Sequence, residues 1–502
     1  MKRLFYFLSA ILLINTTVFA GNIIKGVRIS YNITENQIDF IDDHFDFVMT
    51  PFLSHDVRNY FQNSQLFLYR SIQGTWTDFN QFDWAHINSC ENMFCHSDSA
   101  DQSEATRILT IWDSWLMNGK DLVDKEAPDA MNHWINYFAV TASTQVHSYN
   151  YDGLFIDSAG HQTKASWLKE GNLPWDYSDE ECRKARSASL SFIKSYLPDK
   201  VVIFNGLHSD NGADSSLSLT DGGMWEDFAY DIYDGSYRGE IKWGAAIQCI
   251  QKNNQSANLV LVVKKPGLID DIQARIFSVA SYLLVGNQNV ALSLSDYAHH
   301  TSLQYYPEYD VSIGNPLGDF TTTEDSLFVR EFENGMVLVN PYSSNSKTFA
   351  LEKEYYKIVP IGGGFVDAAG AYDGSLSYEA VSGNVEIPPV SGLILMDSPA
   401  TGIEEPDASV GDFMLAQNYP NPFNPETVIN FQLSVSGNVE LTVYDITGRR
   451  VHTLVQGFLR AGKHQVVWYG LDDYGKKAAS AVYLYRLKTK DRVQTKRMVL
   501  MR

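Results

Sequence analysis

Along the first three hundred or so residues, short apolar runs bounded by glycine or polar residues alternate with stretches whose apolar positions recur every three or four residues. The first pattern predicts buried strands and the second amphipathic helices. The runs lie at 24–29, 45–49, 65–69, 153–157, 201–205, 222–226, 258–263 and 290–294. Helical spacing is clearest over 130–146, where Met131, Trp134, Ile135, Phe138 and Ala139 share a face. It recurs over 178–197, which opens Ser-Asp-Glu-Glu like a capped helix start, and over 270–285. Eight strands interleaved with helices predict an α/β fold, a (β/α)8 barrel. An open doubly wound sheet is the competitor. The barrel is preferred because acids stand at several strand ends and no glycine-rich nucleotide turn follows the first run. The long connection 75–110 then crosses the C-terminal mouth.

Near residue 326 the pattern turns all-β. Phe328-Val-Arg-Glu-Phe-Glu-Asn-Gly-Met-Val-Leu-Val-Asn predicts two strands joined at Asn334-Gly335, and 381–396 continues in kind. This predicts a β-sandwich over 326–397, followed by a polar linker at 398–411 without periodicity. Residues 412–502 carry further strand patterns at 428–433, 439–444, 464–468 and 481–487. Closely spaced prolines in Asn418-Tyr-Pro-Asn-Pro-Phe-Asn-Pro impose extended or turn geometry at its start. A small immunoglobulin-like sandwich is expected there.

With 502 residues, two to four domains are expected. A net charge of −21 argues against nucleic acid or an anionic membrane as partner and suits neutral or cationic substrates. Residues 1–20 have the form of a signal peptide. Lys2 and Arg3 precede an apolar run over 4–14, and Val18-Phe19-Ala20 makes a small-residue cleavage site. No later run is long enough to span a membrane, so the mature barrel, taken as 21–325, is expected outside the inner membrane with no membrane span. An oxidising compartment permits disulfides among Cys90, Cys95, Cys182 and Cys249. Cys90 with Cys95 could close a small loop, and the three complete pairings stay open. Adjacent His299 and His300 fit a surface loop better than a metal site.

The chemistry is carried by acids at strand ends. In Tyr-Asp-Gly-Leu-Phe-Ile-Asp-Ser the apolar run leads into Asp157, and in Asp-Gly-Gly-Met-Trp-Glu-Asp-Phe it leads into Glu226. In a barrel these end strands four and six and lean over one mouth. Two carboxylates flanking a sugar are the minimum for cleaving a glycosidic bond, and that chemistry demands no cofactor. An Asp at a strand end can instead cap the next helix, as Asp157-Ser158 could. Asn205, ending strand five between the acids, is placed to bind a sugar hydroxyl. Trp225, Tyr230 and Tyr233 are candidates for stacking on a pyranose, though each aromatic alone more often packs in a core. Asp113, Asp227 and Asp296 stand near strand ends or mouth loops, and Asp227 is the working acid if the register slips by one. No P-loop, Ser-His-Asp elbow or dinucleotide fingerprint occurs.

Tyr-Asp-Gly-Leu-Phe-Ile-Asp, Ile-Phe-Asn-Gly and Gly-Gly-Met-Trp-Glu-Asp-Phe resemble strands four, five and six of the barrels grouped as hypothetical glycosyl hydrolase family 15. Trp115-Leu-Met-Asn118 resembles the strand-three region of that group, and Ile387-Pro-Pro-Val-Ser-Gly-Leu-Ile-Leu the sandwich that follows such barrels. The resemblance implies a retaining arrangement, with Asp157 as nucleophile and Glu226 as general acid/base. The alternative is a carbohydrate-binding or surface protein on a barrel that has lost activity. Residues 412–502 resemble the sorting domain of type IX (Por) exported proteins, related to the FlgD-type Ig-like domain. The resemblance rests on the proline segment, Val-Tyr-Asp-Ile-Thr-Gly-Arg-Arg-Val, Ala-Gly-Lys-His, Val-Tyr-Leu-Tyr-Arg-Leu and the closing Lys-Arg-Met-Val-Leu. That implies the secretion machinery as a partner and a secreted or cell-surface location reached through a periplasm.

Overall fold

In the computed structural model, eight parallel strands close into a barrel. The residues described are 23–29, 33–75, 82–98, 100–110, 112–120, 122–159, 168–169, 173–174, 178–207, 216–399, 413–418, 420–433, 437–459, 462–473, 476–489 and 492–501. The signal-peptide segment, and the linker of the sequence reading from residue 400 on, therefore lie outside the described residues. The barrel strands are β1 (Ile24–Arg28), β2 (Phe47–Thr50), β3 (Gln65–Ser71), β4 (Gly153–Asp157), β5 (Val201–Asn205), β6 (Gly222–Trp225), β7 (Asn258–Lys264) and β8 (Val290–Ser295). Each pairs with its sequence neighbours, and β1 closes on β8 through Ile24–Ala291 and Lys25–Leu292. The helices named here are α1 (Glu35–His44), α2 (Trp134–Ser148), α3 (Asp179–Ser195), α4 (Glu240–Asn253) and α5 (Ile272–Val285). The sequence reading anticipates α2, α3 and α5 but not α1 or α4. For α1 the signal is a capping box, Thr34 with Gln37.

Alternation along each strand builds two cores. Inward residues such as Phe47, Met49, Phe67, Phe155, Ile203, Met224 and Val262 fill the barrel. Their neighbours, including Val48, Leu68, Ile156, Phe204, Trp225 and Leu261, pack outward among the helices. Gly153 occupies an inward slot that Phe67 fills: a Cβ there would come 2.5 Å from the Phe67 ring and 2.2 Å from the Val201 carbonyl. At the N-terminal face, three aspartates preceding even strands bind across to odd ones. Asp46 accepts the Lys25 N–H at 2.8 Å, Asp152 that of Leu66 at 2.8 Å, and Asp221 that of Val202 at 2.8 Å. Each caps a backbone donor left open where a strand begins. The acids that open the Tyr-Asp-Gly and Asp-Gly-Gly motifs are thus structural, in contrast to those that close them.

After the barrel comes a six-stranded antiparallel sheet, in the order 321–322, Phe328–Phe332, Gly335–Asn340, Ser391–Met396, Tyr355–Ile361, Ser375–Val381, with a two-stranded partner of Lys347–Ala350 and Asn384–Ile387. Between them lie Val329, Leu338, Leu351, Ile387 and Leu395. The other face of the larger sheet lies on α5, whose residues from Ala274 to Val285 are all buried. Gly392 permits the approach, since a Cβ there would meet the Ala280 methyl at 2.6 Å. Arg330 donates to the Leu283 and Gly286 carbonyls at 2.8 and 3.2 Å, capping the C-terminus of α5. Barrel and sheet form one compact unit ending at Pro399.

The second unit, from Ala400, is a sandwich of a three-stranded and a four-stranded antiparallel sheet. Ile429, Phe431, Leu441, Val443, Trp468, Tyr485 and Leu487 fill it. Buried Asn418 in the proline segment donates to Thr427 Oγ1 at 2.9 Å and the Pro420 carbonyl at 3.1 Å. Its N–H reaches the Tyr485 hydroxyl at 2.9 Å.

Cys90, Cys95 and Cys249 are not disulfide-bonded to one another. The Cys90–Cys95 bridge that the spacing permits does not form: the Cys90 thiol faces Asn132 Oδ1 at 3.5 Å and that of Cys95 the Met117 carbonyl at 3.4 Å. Trp115–Leu116 is not part of the barrel wall. It pairs with Gly74–Thr75 in a ribbon carried on the connection after β3. No described helix is long and apolar enough to cross a membrane.

Candidate active site

The inward register of six strands ends on a polar residue at the C-terminal mouth. Ile24 and Gly26 are followed by Arg28, Gly153 and Phe155 by Asp157, and Val201 and Ile203 by Asn205. In the same way Met224 leads to Glu226, Val260 and Val262 to Lys264, and Ala291 to Ser293 and Ser295. A polar layer thus caps the apolar barrel core in phase with it. It floors a cleft of about 920 Å³, including its open mouth, which Arg28, Tyr69, Asp157, Glu226, Lys264 and Tyr297 help to line.

At its centre, Asn205 Nδ2 donates to Asp157 Oδ1 and to Glu226 Oε2, each at 2.8 Å. Both bonds leave one amide nitrogen, whose two hydrogens diverge, so the two oxygens are about 5 Å apart. The Tyr69 hydroxyl donates to Asp157 Oδ2, and the Ser158 N–H to Oδ1 at 2.8 Å. Three donors therefore hold Asp157 as an oriented carboxylate. Burial, partly opposed by Arg28 and reinforced by the Asp157 charge, pushes the Tyr69 hydroxyl well above its ordinary range, so it stays a donor. Glu226 binds Lys264 through Oε1. Burial of Glu226 favours its neutral form, but the Lys264 ammonium, with help from Asn205 and Arg28, overrides that and draws it down to about 2. Immediately after each acid the chain takes a left-handed turn, with φ of 56° at Ser158 and 61° at Asp227. Such conformations in non-glycine residues recur at sites where geometry is constrained.

Of the residues singled out in the sequence, Asp157, Asn205 and Glu226 come together. The others do not. Trp225 is buried among the helices, because its neighbour Glu226 takes the inward position and adjacent residues face opposite ways. Asp113 is exposed on the loop after β3, paired with Lys169. Asp296 is buried, accepting N–H groups of Gly267, Ile269 and Ala298 at 3.1, 3.3 and 3.0 Å, and so pins the loops after β7 and β8. Asp227 lies outside the cleft lining, 3.6 Å from Arg238, with Oδ1 buried and unpartnered among the described residues. Its burial, and the charge of Glu226, raise it to about 6. Tyr230 packs on Tyr237 and Phe277. Tyr233 reaches the rim, edge-on to Tyr297 at 6.2 Å. Sequence reasoning misses Tyr69, Lys264, Arg28 and His300. The first three carry a signal, namely their even spacing from inward apolar residues on their strands.

A closed parallel barrel with convergent carboxylates over its C-terminal mouth, backed by a β-sheet layer, is a glycoside-hydrolase-like barrel. Residues 104–336 match the family model "Hypothetical glycosyl hydrolase family 15", a span holding Asp157, Asn205, Glu226 and Lys264 but not Arg28 or Tyr69. Residues 420–492 match the "FlgD Ig-like domain". No curated protein matches. Among solved structures, the glycoside hydrolase domain of PelA from Pseudomonas aeruginosa is 16% identical over 55% of this chain and 96% of that one, with a TM-score of 0.36. The noncanonic maltogenic α-amylase AmyB from Thermotoga neapolitana is 10% identical over 74% and 98%, with a TM-score of 0.41. FlgD from P. aeruginosa is 26% identical over 15% and 58%, with a TM-score of 0.13.

Proposed function

We propose that this protein is a glycoside hydrolase that cleaves a poly- or oligosaccharide by double displacement, with retention at the anomeric carbon. The observation that carries the reading is the single Asn205 amide shared by Asp157 and Glu226. A spacing of about 5 Å leaves no room for a water between nucleophile and sugar and suits direct attack by a carboxylate. Asp157, oriented by its three donors, attacks the anomeric carbon while Glu226 delivers a proton to the departing oxygen. Glu226, then ionised, takes a proton from the water that releases the sugar. Lys264 favours the ionised Glu226 of the second step and opposes the protonated one of the first, which places the working range on the acid side.

That same ion pair favours the second reading, a barrel that binds carbohydrate without cutting it. The two are separated by assaying reducing-end release from a glycan panel with wild type, Asp157→Asn and Glu226→Gln. Release that both substitutions abolish in folded protein supports hydrolysis. Binding without release in the wild type supports the second reading.

We also propose that the chain is exported and acts at or beyond the cell surface, residues 412–502 serving as a type IX sorting domain. The leader pattern at 1–20 and the family match over 420–492 support this. Fractionating cells that express the chain with and without its last ninety or so residues tests it. Retention of the shortened chain in the periplasm is the expected result.

A further inference from the structure

Besides Lys264, the cleft holds a second cation, which makes no hydrogen bond to either acid. Arg28 ends β1 in the inward register, and its guanidinium lies 4.1 Å from the centre of the Tyr69 ring. Phe155 stacks on Tyr69 in turn, at 5.8 Å. Stacking fixes the plane of the guanidinium and leaves its N–H edges free. Among the described residues Arg28 makes no hydrogen bond or ion pair, yet its side chain is exposed to the cleft. Its charge acts on both acids through space, but neither acid hydrogen-bonds to it. Glu226 has Lys264, and Asp157 has Tyr69, Asn205 and the Ser158 N–H. The wall beside Arg28 adds hydroxyls from Ser293, Ser295 and Tyr297. His300 completes it, its Nδ1 on the Tyr297 carbonyl at 3.0 Å. Asp157 and Glu226 are the only carboxylates among the described lining residues, and both are engaged. A permanently charged fork with vacant donors, flanked by hydroxyls, is equipment for a planar or tetrahedral anion.

We infer that the glycan recognised here carries an anionic group, a uronosyl carboxylate or an ester sulfate, which docks on Arg28. The net charge of −21 does not oppose this, because charges beyond about 8 Å are largely screened and the groups in contact decide. The inference takes from the proposed function only that the ligand is a glycan.

The test is calorimetric titration of full-length Asp157→Asn protein with size-matched oligosaccharides. These are a neutral series, a uronate series, its carboxyl-reduced counterpart, a sulfated series and an amino-sugar series. One anionic series is expected to bind about ten- to a hundredfold tighter than its uncharged counterpart. Whether uronate or sulfate shows the gain identifies the group. Adding Arg28→Gln, with folding checked by circular dichroism, should erase that gain and leave neutral binding unchanged. Equal binding of charged and uncharged forms, preference for amino sugars, equal weakening of every series by Arg28→Gln, or no binding at all overturns the inference. Tight anionic binding without cleavage by the wild type leaves it standing and removes the hydrolase reading instead.

Discussion

Lys264 at the end of β7 is ion-paired with Glu226 at the end of β6, and the pair biases that carboxyl toward its ionised form. If Glu226 is the acid, Lys264→Met lets its affinity for a proton rise from about 2 toward or beyond the ordinary 4.5. The alkaline limb of the kcat/KM profile should then move up by a pH unit or more. Profiles of wild type and variant on one substrate check this, and an unmoved limb assigns the proton to another group.

The same pair makes a stability prediction. The native pKa of Glu226 lies below its unfolded value, so its contribution is present above about pH 4.5 and lost as pH falls through about 2. Acid unfolding followed by fluorescence should show a loss over that window which is smaller in Glu226→Gln.

Asn205→Ala removes the donor common to both carboxylates. It leaves Asp157 two donors and Glu226 its lysine, so the fold should persist within a few degrees of Tm. The loss falls on orientation in the transition state, about a hundredfold in kcat with little change in KM. Steady-state kinetics beside a melting curve separates the two effects.

Asp227 should behave oppositely to Glu226. Its pKa is raised to about 6, so the stability linked to its proton is full below about 3.8 and disappears as pH rises through 6. Asp227→Asn makes the neutral form permanent and tolerates the left-handed φ. It should stabilise by about 1–2 kcal/mol at pH 8 and by nothing at pH 3.5, measured as Tm at both.

Retention is checked on the first product. Proton NMR during early turnover should show the anomer of the substrate. A 2-fluoro glycoside with a good leaving group should label the peptide containing Asp157. Label on Glu226 reverses the assignment, and the opposite anomer overturns double displacement.

Much of the barrel was legible because period-two alternation and bounding glycines mark its strands directly. The acids were legible because a charged residue closing an apolar run stands out. Trp225 packs in the core, the commoner outcome for a single aromatic, for a reason equally physical: a residue beside a mouth-facing acid on a strand must face away. Arg28, Tyr69 and Lys264 lie in runs that look merely mixed until the inward phase is assigned across all eight strands. Asp113 and Asp296 depend on how long connections fold back, which local pattern does not encode.

From Ala274 onward helix α5 has no solvent side: the barrel takes one flank and the β-sheet the other, with Gly392 against Ala280 and Arg330 on its last carbonyls. Its partner strand β8 supplies Ser293 and Ser295 to the cleft. The sheet is therefore a buttress of the cleft wall, and the two regions are expected to melt as one cooperative body. Shortening the protein to its barrel would strip a hydrophobic helix bare and yield an aggregate instead of a smaller folded unit.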